Sequence, residues 1–110
     1  MVIDVESLGL HGEPFAVGWV VVDGDGNRLE EGEAWSPPEL ASGTVDDRAW
    51  VMANVSRHPM ALDFKSSDHV CGAFWRRWLY WKAKGARLAA DVAWPCEARF
   101  LIACVENDIE

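Results

Sequence analysis

Hydrophobic and polar positions alternate from the start of the chain: in Val2-Ile3-Asp4-Val5-Glu6-Ser7, Ile3 and Val5 share one side of an extended strand and Asp4 and Glu6 the other. A polar, breaker-rich stretch, His11-Gly12-Glu13-Pro14, comes next. From Phe15 to Asp23 the chain is almost continuously apolar, and Val17-Gly18-Trp19-Val20-Val21-Val22 predicts a central strand buried on both faces. Asp23-Gly24-Asp25-Gly26-Asn27 suits a tight turn, after which Arg28 to Trp35 returns with partial alternation. Glu30, Glu31 and Glu33 give this third segment the charge of an edge strand, and the three segments together predict a β-meander. The turn begins like a calcium loop, but Arg28 stands where that loop needs glycine and Ala34 where it needs its closing glutamate.

Periodicity is weakest from Ser36 to Ser67. Pro37-Pro38 ends the strand, a short helix is expected over Asp46 to Ala53, and Pro59 interrupts the residues between that helix and Ser67. Trp50, Met52 and Asn54 could line a substrate surface, although a tryptophan in a small domain is usually packed. From Asp68 the spacing becomes helical, with Ser66 or Ser67 as cap and Gly85 as stop. Val70, Phe74, Trp78 and Trp81 form its apolar stripe, with Cys71 and Trp75 beside it and Arg76, Arg77 and Lys84 facing away. Arg87 to Val92 predicts a short strand. A final helix, Cys96 to about Asn107, opens on Pro95, with Glu97 near its positive end and Phe100, Leu101, Cys104 and Val105 at core spacing.

This order predicts an α/β fold, with an antiparallel meander plus one parallel strand in a mixed sheet flanked by helices. The strand–helix–strand sequence across residues 68 to 92 sets the later strand parallel to the first, which brings Asp91 to the same sheet end as Asp4 and Glu6. At 110 residues and 50% hydrophobic, the chain supports one small domain. It contains no run of about 18 apolar residues and no secretory pattern at its start, so a cytoplasmic protein without a membrane partner is expected. Cys71, Cys96 and Cys104 have neither zinc-site spacing nor an even count for a disulfide framework. A net charge of -8 opposes broad capture of duplex nucleic acid but not an enzyme that grips a strand end. Arg76, Arg77, Lys82, Lys84 and Arg87, half of the ten Lys and Arg, form the candidate phosphate-facing patch, although such basic residues on a helix are more often a solvated face.

Two carboxylates side by side repel, and a cation between them relieves the repulsion. Hard oxygen donors suit Mg²⁺ or Mn²⁺. With Asp91 added, the three acids suit a pair of ions roughly 3.5–4 Å apart of the kind that serves phosphodiester cleavage.

The opening V-I-D-V-E-S-L-G-L, the meander, the basic-aromatic helix and the later L-A-A-D-V-A-W-P-C-E-A-R-F-L resemble the DEDD superfamily of 3′-5′ exonucleases, relatives of ribonuclease T and the proofreading exonuclease with a ribonuclease H-like fold. The resemblance spans nearly the whole chain. It implies two ions, with Asp4 bridging both, Glu6 on the nucleophile side and Asp91 assisting the other. It implies that Ser7, Leu8, Gly9 and Leu10 meet the terminal nucleotide of a single-stranded RNA or DNA 3′ end, largely through backbone and apolar surface.

The family's usual second motif is Asn-x-x-Phe-Asp, whereas here Asp91 is followed by Trp94-Pro95, and no His-x-x-x-x-Asp comes after Asp91. His58 to Asp63 has the latter spacing but the wrong chain order. Residues 1–110 are therefore expected to form the N-terminal portion of an exonuclease-like domain, C-terminally incomplete and of low activity alone. A missing last strand would leave a sheet edge that a second copy could cover. The alternative is a binding module on the same fold, holding nucleic acid or protein through Trp50, Arg76 and Arg77.

Overall fold

Three antiparallel strands, β1 (Val2–Ser7), β2 (Pro14–Val22) and β3 (Arg28–Trp35), form the expected meander in a computed structural model that describes residues 1–109. The meander is extended by β4 (Leu62–Asp63) and β5 (Ala89–Ala90), each parallel to its neighbour, into a five-stranded mixed sheet of order β4-β3-β2-β1-β5. Helix α1 (Val45–Asn54) lies between β3 and β4, α2 (Ser67–Ala83) between β4 and β5, and α3 (Cys96–Ile109) comes after β5. The fold class is α/β, as the alternating pattern requires.

Local chemistry accounts for the boundaries. The Asp23 carboxylate accepts from the backbone N–H groups of Asp25 and Asn27, both at 2.9 Å, so the acid closes a turn rather than a calcium loop. Thr44 caps α1 by accepting from Asp47 N–H at 3.1 Å. Ser66 caps α2, and Gly85 at φ 92° ends that helical stretch in the left-handed region where glycine carries no Cβ penalty.

Register fixes the two faces of the sheet. Ile3 lies opposite Trp19, Val5 opposite Val17, and Val17 opposite Ala34. These side chains face α2 and α3 and form the main core with Val70, Cys71, Phe74, Phe100 and Cys104. Phe74 is fully buried, its ring 6.0 Å from Trp19 and 5.4 Å from Phe100. A second cluster, including Leu8, Phe15, Ala16, Trp35 and Val51, sits where α1 closes over one end of the sheet.

Several expectations change. β2 is buried on both faces only from Phe15 to Val17, and beyond Gly18 burial alternates, because the second cluster covers only that end. β3 is an edge only in part, since β4 pairs with Ala34 and Trp35. The strand expected over Arg87 to Val92 contracts to Ala89–Ala90, and Asp91 already lies in a bend. Val105, expected in the core, is 43% exposed. Among the described residues no helix is long and apolar enough to cross a membrane.

Candidate carboxylate site

The face of the sheet opposite the main core carries the acids. Val2, Asp4 and Glu6 project there from β1, and register sets Asp4 across Gly18 from Glu33, and Glu6 across Ala16 from Trp35. Gly18 of the middle strand thus separates Asp4 from Glu33, while Glu31 lies across Val20 from Val2.

The outer edge of β1 adds a third carboxylate. β5 ends at Ala90, opposite Ile3, so no strand meets the next outward N–H of β1. That group, on Val5, donates instead to Oε1 of Glu97 at 3.3 Å. Glu97 is only 8% exposed: the first turn of α3, packed beside β1, fills the space a longer β5 would occupy. Burial raises the pKa of the Glu6 carboxyl above its ordinary value, and the charges of Asp4, Glu97 and Glu33 raise it further. In the sequence Glu97 reads only as a charge at a helix end. The gap at the end of β5 that makes it part of the site is a tertiary feature.

Asp91 comes one residue after the Ile3–Ala90 pair, in a bend where the pairing of β5 with β1 has ended, and its side chain is exposed. Ser7 Oγ donates to the Gly9 carbonyl at 2.7 Å and lies 3.3 Å from Cys96 Sγ. Gly9 has φ 72°, and a Cβ there would fall 2.5 Å from Asp47 Oδ2. Leu8, expected to offer apolar surface to a nucleotide, has its side chain fully buried in the second cluster, while Leu10 is 62% exposed. The Leu10 carbonyl accepts from Arg99 at 2.9 Å.

The acids supply the hard oxygen donors that Mg²⁺ or Mn²⁺ prefers. As placed, however, no three His, Cys, Asp or Glu side chains among the described residues converge closely enough to hold an ion. Of the His58–Asp63 spacing, Asp63 is engaged by Arg57 at 2.7 Å and 3.1 Å, and His58 Nδ1 lies 3.9 Å from Glu33.

The basic patch is altered too. Arg77 does not simply face solvent: it forms an ion pair with Glu30, with Nε donating to Oε2 at 3.1 Å, and the Trp19 indole donates to the same oxygen at 2.9 Å. Arg77 and Lys84 both lie over the Tyr80 ring, at 4.6 Å and 5.0 Å. Arg76, Lys82 and Lys84 are exposed, as is Trp50 at 62%, contrary to the usual packing of tryptophan.

Comparisons of the chain with protein-family models, with curated proteins and with solved structures find no match. The functional reading rests on the residues and their placement.

Proposed function

We propose that this chain carries the carboxylate site of a divalent-metal-dependent 3′-5′ exonuclease of ribonuclease H-like fold, acting on single-stranded ends of RNA or DNA. The observation that carries the reading is the charge frustration at Glu6, a half-buried acid facing Asp4, Glu97 and Glu33. Folding keeps such a group among like charges at a cost, and a site made to receive cations explains why that cost is borne. Asp4 and Glu6 would present oxygens from the open sheet face, Glu97 would fix the edge of β1 and add negative charge, and Asp91 would have to swing in from the bend after β5 to join them. Bound Mg²⁺ or Mn²⁺ would supply the Lewis acid that activates water and offsets phosphoryl charge. Leu10, Gly9 and the Ser7 backbone border the acids where a terminal nucleotide would rest.

The test is calorimetric titration with MgCl₂ and MnCl₂, paired with thermal melts, on the wild-type chain and on Asp4→Asn and Glu6→Gln. Saturable binding that raises the melting temperature and is lost in both variants is expected. Absence of binding, or equal binding by the variants, overturns the proposal. With Mn²⁺ present, 5′-labelled single-stranded RNA and DNA should shorten one nucleotide at a time from the 3′ end.

A second reading, binding without hydrolysis, draws on the exposed Trp50 and on Tyr80 with its two cations. Oligonucleotide binding that persists in EDTA without shortening would favour it.

A further inference from the structure

The outer side of β3 is open from Leu29 to Glu33, because β4 pairs only with Ala34 and Trp35. Alternate backbone N–H and C=O groups along this stretch therefore face outward with no strand to receive them. Beside the stretch, between the strand and α2, runs a groove of about 600 Å³ whose walls include Trp19, Phe64, Ala73 and Arg76. Gly32 shapes its floor: the Trp19 indole lies over the glycine so closely that a Cβ there would stand 2.3 Å from the ring. Exposed Met60 and Leu62, at 81% and 58%, flank the opening.

We propose that this edge receives an extended peptide segment as an added strand, with lysine or arginine at alternate positions and apolar residues between them. Alternation divides the tasks. Side chains on one face of the added strand would stand beside Glu31 and Glu33, which shared register places on the acidic face with Asp4. Those on the other face would enter the groove over Trp19 and Ala73.

Charge selects this occupant over two others. A second copy pairing through β3 would set Glu30, Glu31 and Glu33 against their own counterparts, which is destabilising between facing strands. A nucleic acid strand would bring phosphates to the same glutamates. Glu31 is available, since the Arg28–Glu31 pair at 3.1 Å has both side chains more than 60% exposed and offers little competition, whereas Glu33 is 31% exposed with His58 Nδ1 at 3.9 Å. This inference is independent of the nuclease reading.

The probe is a lysine–valine heptapeptide of strictly alternating sequence, titrated into the isotope-labelled full chain at low salt. Its controls are the glutamate–valine counterpart and a single-stranded oligonucleotide. Amide signals of Leu29 to Glu33 should shift and gain protection from hydrogen exchange with the lysine peptide alone. Affinity should fall at least tenfold in the Glu31→Lys/Glu33→Lys double variant. If that variant does not fold, the peptide's own charge exchange makes the same comparison. Absence of binding, equal binding of the glutamate peptide, oligonucleotide binding at these amides, or lysine-peptide binding that leaves them unprotected would each overturn the proposal.

Discussion

Glu97 Oε1 accepts a hydrogen bond from the backbone N–H of Val5 at 3.3 Å, joining the first turn of α3 to the edge of β1 across 92 residues of chain. The carboxylate does for Val5 what a longer β5 would have done, and it brings a charge to Glu6 in the process. Glu97→Ala should cost about 1–3 kcal/mol in urea unfolding, since it leaves a buried N–H without a partner. Glu97→Gln keeps the acceptor and removes the charge, so it should lose much less stability and should lower the Glu6 pKa measured by NMR titration.

Glu6 itself makes stability depend on pH in a defined direction. Its folded pKa lies above the ordinary 4.5, so within the interval between the two values the folded chain binds more protons than the unfolded chain. Stability therefore declines as pH rises from 4.5 through the raised value. Glu6→Gln should be more stable than wild type at pH 7, and the difference should vanish as the pH falls below 4.5. Urea midpoints of the two proteins compared from pH 4 to pH 7 test this, and a difference independent of pH would contradict it.

Glu30 titrates the other way. Burial acts to raise its pKa, but the hydrogen bonds from Arg77 and Trp19 outweigh burial and hold it below 4.5. Its contribution is present above 4.5 and is lost as pH falls through the lowered value. Glu30→Gln retains an acceptor for the Trp19 indole and gives up a partly exposed ion pair, at an expected cost under about 1 kcal/mol. Glu30→Ala also orphans the indole N–H and should cost about 1–3 kcal/mol, with a changed Trp19 side-chain resonance as its spectroscopic sign.

Phe74 supports both layers of the main core, since its ring meets Trp19 on β2 and Phe100 on α3. Phe74→Ala should destabilise the chain by about 3–5 kcal/mol. Calorimetric melting should show a large fall in transition temperature, whereas Phe74→Leu should lose a fraction of that.

Legibility in the sequence depended on whether one segment carried its own signal. The meander was legible because Ile3/Val5, the Val17–Val22 run and the Asp23–Asn27 turn each state their geometry locally. The helix over Ser67–Ala83 was legible from its stripe and from Ser66 and Gly85. β4 was not, because Leu62–Asp63 is a strand only by virtue of lying against Ala34 and Trp35. The burial of Leu8 depends on α1 folding over it, and the placement of Glu97 depends on where β5 stops. At the candidate site Asp4 and Glu6 could be assigned a common face from strand alternation, while the neighbour that crowds them came from the far end of the chain.

Between the acids of β1 and those of β3, the middle strand presents only hydrogen at Gly18, where an added Cβ would meet nothing nearer than the Gly32 carbonyl oxygen at 3.9 Å. The open strip spans two strand spacings, roughly 10 Å. It is a ready anchor for a reporter: a spin label on Gly18→Cys would hang midway between the two rows, so a paramagnetic cation arriving at either would broaden its spectrum, and distance would reveal which row had captured it.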